Sequence, residues 1–134
     1  MLDAGRRPRA DFDAIFDQIS AIGAKLGEGV TRLAASAEDG MARGVFAAWM
    51  EQAAVHIAYD AIGNQFACFD WVGQDAPWIL AGSHLDTQPR GGRFDGTLGV
   101  LSAGPTSGLR KTSSRRHVSI HRTGSRGRRQ SQGG

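Results

Sequence analysis

From Asp11 onward, apolar side chains recur at Phe12, Ile15, Phe16, Ile19 and Ile22, the three-and-four spacing of one helix face. Asp11 and Asp13 suit the positive end of the helix dipole, and Gly23 marks its end. Gly27 and Gly29 then predict a loop running through Thr31, Arg32 and Leu33. A second helix is signalled by Ser36, which can cap, and by Asp39, which can reach back. Met41, Val45, Phe46 and Trp49 give it an apolar stripe as far as about Ala53, although Gly40 and Gly44 weaken it by ~1 kcal/mol each.

The period then shortens to two. Val55, Ile57 and Tyr59 alternate with polar or small residues and predict a half-buried strand. Ile62-Gly63-Asn64 supplies a turn, and a second strand is expected over Gln65 to Trp71. Asp75-Ala76-Pro77 interrupts the chain. The continuous apolar run Trp78-Ile79-Leu80-Ala81-Gly82 predicts a central strand covered on both faces. A short helix start follows at Leu98, Val100, Leu101 and Ala103, and the pattern then stops. Two helices, a hairpin and a buried strand favour an α/β layered domain.

Composition narrows the classes. The chain has 134 residues and is 40% hydrophobic, enough for the core of one domain. A single cysteine, Cys68, excludes a disulfide-stapled scaffold. No apolar run is long enough to span a membrane, and the first residues lack a signal-peptide core, so the expected location is cytoplasmic. The net charge of +3 conceals two unlike parts. Residues 1–104 carry 8 Lys and Arg against 13 Asp and Glu, whereas 105–134 carry 8 basic residues and no acid. The tail also lacks aromatics and holds six Ser and five Gly, a composition that predicts a disordered basic segment. The expected organisation is therefore a patterned unit, 1–104, and a tail, 105–134.

Candidate chemistry lies just beyond the central strand. His84 and Asp86 are two apart and leave an extended segment on the same side, at the strand end where α/β sheets bind ligands. His84 could ligate a metal, with a carboxylate nearby to orient an imidazole. So short a pair also occurs as an ordinary exposed strand end. Asp95 sits among Gly91, Gly92 and Gly96, where the backbone can approach an ion closely and a carboxylate can bridge two divalent cations. The alternative is a turn residue capping the next helix through Thr97.

The segment GSHLDTQPRGGRFDGTLGVLSA closely resembles the first metal-site segment of the amidase/hydantoinase/carbamoylase group of dinuclear zinc hydrolases. That group includes N-carbamoyl-L-amino-acid hydrolases and allantoate amidohydrolases and is M20 metallopeptidase-like. GVTRLAASAEDGMARGVFAAWMEQA and YDAIGNQFA are similar to the group's upstream segments, so the resemblance runs from about Phe12 to Ala103. It implies the N-terminal part of a zinc-aminopeptidase-like three-layer α/β domain. It further implies that His84 binds one metal, Asp95 bridges two, and Asp86 supports His84, with a cis Asp95-Gly96 peptide. The cofactor implied is a pair of divalent ions, zinc with manganese as the alternative. The implied reaction is hydrolysis of a linear C–N amide or carbamoyl bond in a small N-carbamoyl or ureido substrate, by a homodimer in the full-length family.

The family pattern continues into a Glu-Glu pair and further histidines, yet this chain has no glutamate after Glu51 and no acid after Asp95. Two ligands are fewer than the three protein ligands of a catalytic zinc, so the chain as written is expected to be inactive. The tail admits three readings: an out-of-frame continuation beyond residue 104, a basic arm that binds nucleic acid or acidic surfaces without sequence preference, or a solvated extension. The second would make the protein a non-enzymatic binder, but the absence of aromatics weighs against nucleic acid as its partner. His117 and His121 have helical zinc-pair spacing without the glutamate of that motif. Cys68 is expected in the core, Arg90 and Arg93 either pair with surface carboxylates or meet an acidic substrate group, and Asn64 suits a left-handed turn position.

Overall fold

The apolar stripe of the first segment becomes α1, Pro8–Ala21, in a computed structural model that describes residues 8–52, 56–69, 77–104 and 116–121. Ile15, Phe16 and Ile19 are buried, with Phe12 and Ile22 packed at their margin. The chain turns at Gly23, whose φ of 78° and close approach to the Thr31 carbonyl leave no room for a side chain. The expected loop contains a miniature antiparallel hairpin, β1 (Ala24–Lys25) and β2 (Gly29–Val30). Two-residue strands carry too little pattern to be read from sequence.

Helix α2 spans Ala37–Glu51. The Ser36 hydroxyl accepts from the Asp39 N–H at 3.2 Å, and the Asp39 carboxylate accepts from the Ala35 N–H at 3.1 Å, one residue ahead of the cap. Its inner face is Ala42, Phe46 and Met50, so the predicted stripe is rotated: Met41 is exposed and Val45 and Trp49 only flank the core. Small Ala42 marks the close-packed side, which a stripe drawn through large side chains misses.

Strands β3 (His56–Tyr59) and β4 (Gln65–Phe69) pair antiparallel, with Tyr59 opposite Gln65. The Asp60 carboxylate fixes the turn by accepting from the Ile62 and Asn64 N–H groups and from the Asn64 side chain. Gly63, at φ 84°, takes the left-handed position that had been expected of Asn64. Gln65, Ala67 and Phe69 point inward, whereas Cys68 is only half-buried. Residues 70 and 71, also expected in this strand, lie outside the described residues.

Two expectations are corrected by the sheet, whose order is β3-β4-β6-β5. First, β5 (Trp78–Ser83) is an edge strand and is not covered on both faces, and Leu80 is 63% exposed. Its apolar run needs a neighbour and a covering layer that the described residues do not supply. Second, the tail expected to be disordered contributes β6, Arg116–His121, antiparallel to β4 and parallel to β5. The physical reason is the open edges of β4 and β5, whose unpaired N–H and C=O groups favour any β-capable segment. Val118 and Ile120, alternating with serine and histidine, provide one. His117 and His121 therefore stand in a strand, not in the helix that a zinc pair at that spacing requires. The remaining tail residues, 105–115 and 122–134, lie outside the described residues.

Between β5 and β6 lies α3, Thr97–Ser102, making a parallel strand-helix-strand crossover. Buried residues of α1, α2, β4 and α3 join in one cluster with Leu85, so the three helices cover the same face of the sheet. The structure is thus two layers of the expected three-layer α/β domain.

Replacing Ser36 with Ala removes the α2 cap and should lower stability by about 1 kcal/mol, measured by urea unfolding. Leu80→Lys on the bare β5 edge should reduce self-association in sedimentation velocity while leaving far-UV circular dichroism unchanged.

Candidate metal centre

Immediately after β5 the chain stays extended, and the buried side chain of Leu85 anchors it in the core. Alternation then turns His84 and Asp86 away from that core. The Thr87 hydroxyl is buried on the following residue and donates to the Val30 carbonyl at 3.1 Å. Further along, Gly91 pairs with Val30 in a two-bond bridge of 2.8 and 2.9 Å, which folds the 88–96 loop back toward the strand end.

His84 and the Asp95 carboxylate meet across this fold. The His84 Nδ1 lies 2.8 Å from the Asp86 carbonyl oxygen. A carbonyl only accepts, so Nδ1 is the donor of this contact, and in the neutral ring Nε2 is then the nitrogen with the lone pair. That Nε2 is 3.8 Å from Asp95 Oδ1. Asp86 does support His84, but chiefly through its main chain. Its carboxylate Oδ1 stands further off, 3.5 Å from Nδ1, and is a buried oxygen with no hydrogen-bond partner among the described residues.

Gly96 makes the juxtaposition possible. A Cβ there would lie 2.2 Å from the His84 carbonyl oxygen and 2.5 Å from its Nδ1, and φ at Gly96 is +70°. The backbone passes against the imidazole where no other residue fits. No peptide bond among the described residues is cis, so the Asp95-Gly96 bond has the ordinary trans form instead of the expected cis form.

Beneath the site lies a residue that the sequence reading passed over as a loop position. Arg32 is 1% exposed and is held by four side-chain hydrogen bonds. Nε donates to the Leu85 carbonyl at 2.7 Å, Nη1 to the Ile19 and Ile22 carbonyls at 2.8 Å, and Nη2 to the Thr97 hydroxyl at 3.2 Å. Its main chain binds Thr87 in both directions, N–H to Oγ1 at 2.8 Å and C=O from the Thr87 N–H at 2.6 Å. Burial pushes the Arg32 guanidinium down from its ordinary value, against the opposing pull of the Asp39 and Asp86 charges. Nothing in the spacing of Thr31-Arg32-Leu33 signals a buried cation.

The loop arginines are occupied by carboxylates and rings. Arg93 pairs with Asp17 and lies over Phe16, 4.7 Å from the ring centre, while Arg90 approaches Glu28 at 3.9 Å. A groove lined by Asp17, Ser20, Lys25, Gly91 and Arg93 contains neither His84 nor Asp95.

The donor set fits a divalent ion in kind. A neutral imidazole nitrogen with its other nitrogen locked by a carbonyl is the usual zinc-ready histidine. Two ligands on one tetrahedral zinc stand roughly 3.4 Å apart, so the pair at 3.8 Å needs only a small side-chain adjustment. The orphaned Asp86 oxygen adds negative charge beside it. In number the set falls short, because the described residues contain no group of three His, Cys, Asp or Glu placed to hold an ion.

Known proteins resemble this chain over part of their length. An N-carbamoyl-L-amino-acid amidohydrolase of Rhizobium meliloti is 39% identical over 106 residues, covering 76% of this chain and 25% of its own. A ureidoglycolate hydrolase of Arabidopsis thaliana is 33% identical over 87 residues, covering 65% and 18%. Among solved structures, a hydantoinase/carbamoylase family amidase from Burkholderia ambifaria matches with TM-score 0.76 and 36% identity, over 84% of this chain and 29% of its own. The chain is homologous to a fragment of the hydantoinase/carbamoylase amidases. No protein-family model matches it. The two named relatives are an amidohydrolase and a ureidoglycolate hydrolase, and the chain spans 25% and 18% of their lengths, respectively. No helix among the described residues of this amidase homologue is long and apolar enough to cross a membrane.

Gly96→Ala in this amidase homologue should displace the His84 ring. Histidine ring resonances in a two-dimensional NMR spectrum should shift for His84, with those of His56 unmoved.

Proposed function

We propose that this chain carries one part of a dinuclear metal centre of a hydrolase acting on linear C–N bonds in small N-carbamoyl or ureido substrates. The observation that carries the reading is the tautomer-locked His84, whose free Nε2 faces the Asp95 carboxylate at the end of β5. The relatives' names supply the bond class, and a structural neighbour of TM-score 0.74 and 28% identity is a complex with glyoxylate, a small oxo acid.

In this reading His84 is a ligand through Nε2, Asp95 is the bridging carboxylate, and Asp86 steadies His84 through its carbonyl while its carboxylate adds charge. Zinc suits the imidazole and carboxylate donors, and manganese is the alternative. When bound, the ions polarise a substrate carbonyl and lower the pKa of water. The chain's own contribution is positional: Gly96 admits the imidazole, Leu85 holds the strand end, and the 88–96 loop brings Asp95 across. No Asp or Glu follows Asp95 in this sequence, so it offers no side-chain carboxylate there to move a proton as general base. We further propose that the enzyme acts in the cytoplasm, where an unpaired cysteine is stable, as a homodimer and on small molecules in preference to nucleic acid.

Calorimetric titration of the full chain with zinc should give weak binding that His84→Ala and Asp95→Asn each reduce at least tenfold. Binding that survives both substitutions overturns the assignment. The purified chain should not hydrolyse an N-carbamoyl-L-amino acid with zinc or manganese added; metal-dependent turnover would show that two donors suffice.

A further inference from the structure

We infer that Arg32 is the positioning residue of the metal centre, setting both the tautomer of His84 and the approach of Asp95. The inference rests on the reading of His84 and Asp95 as ligands, and its geometry stands independently of any metal.

The carbonyl that locks His84 belongs to Asp86, and Arg32 grips the residues on either side of it. Its Nε holds the Leu85 carbonyl at 2.7 Å, and its main chain holds Thr87 at 2.6 and 2.8 Å. With both neighbours fixed, the intervening peptide cannot rotate, so the Asp86 carbonyl stays aimed at Nδ1. At the other end, Nη2 holds the Thr97 hydroxyl, and the Thr97 N–H donates to the Asp95 carbonyl at 2.8 Å. One rigid planar fork thus spans from the histidine arm to the aspartate arm. Its third attachment, to the Ile19 and Ile22 carbonyls, ties both arms to the end of α1. Lysine is no substitute, since an ammonium is a point charge and cannot span these directions at once.

The test uses the 134-residue chain labelled at histidine nitrogens. In the unsubstituted chain, His84 should give the ring shifts of the Nδ1-protonated tautomer. Arg32→Lys keeps the main-chain bonds to Thr87 and loses the guanidinium bonds to Leu85 and Thr97. Far-UV circular dichroism should be unchanged while the loosened Leu85–Asp86 segment lets His84 become a mixture of tautomers and zinc affinity falls about tenfold. A folded Arg32→Lys chain with the same tautomer and affinity overturns the inference. Should that variant unfold, Thr97→Val removes one bond without changing shape. It should speed amide exchange at position 97 about tenfold, and unchanged exchange overturns the inference equally. Zinc binding that persists in His84→Ala removes the ligand assignment alone, because the tautomer and exchange readouts need no metal.

Discussion

A guanidinium almost wholly removed from water is the constraint on which this structure turns. Burying a cation is costly unless its donors are met, and Arg32 meets its cost with four hydrogen bonds to three carbonyls and a hydroxyl. Two of those carbonyls, Ile19 and Ile22, belong to the end of α1, where unpaired backbone acceptors and the negative pole of the helix dipole favour a cation. The arrangement is mutual. The Ile19 carbonyl accepts from both the Ile22 N–H and the guanidinium, and the arginine would otherwise be a buried unpaired charge. Removing either partner strands the other, so the end of α1, the start of α3 and the segment after β5 are ordered together.

The contrast between what could and could not be read from the residues follows the range of the forces. The α1 stripe, the Ser36 cap and the β3–β4 turn are local, each set by residues within a few positions, and the structure has them where periodicity and turn chemistry predict. His84, Asp86 and Asp95 were legible through their spacing and their resemblance to a known segment, and the structure brings all three together. Arg32 was not legible, because its partners lie 10 to 65 positions away and no local pattern distinguishes it from a loop arginine. The rotated face of α2 was missed because Ala42 weighs little in a hydrophobic pattern but marks the closest packing.

The two sheet errors have one origin. A run such as Trp78–Gly82 reports the environment for which its side chains suit, which is burial on both faces. The described residues supply a helical layer on one face only, so the strand is apolar and exposed at once. The same shortage makes room for β6. β6 pairs the facing rows of hydrogen-bonding groups of both β4 and β5, and pairing both rows outweighs the polar composition that argued for disorder in the tail. Backbone demand, which composition does not register, decides the position of Arg116–His121.

These points bear on how a chain that spans about a quarter of the length of its relatives can hold His84 and Asp95 in a fixed relation. The geometry of His84 and Asp95 does not depend on the far parts of the sheet, where the described structure is bare. It depends on Leu85 in the core, on the Gly91–Val30 bridge, on the absent Cβ at Gly96 and on Arg32, all of which lie between α1 and α3. Those contacts close among themselves. On the proposed reading, donors from elsewhere would meet a pair already shaped, with the entropy of ordering the imidazole lost during folding and not during binding. Under that proposal, what further ligands would contribute is coordination number and a proton-transferring carboxylate, because orientation at this end is set by Leu85, Gly96 and Arg32.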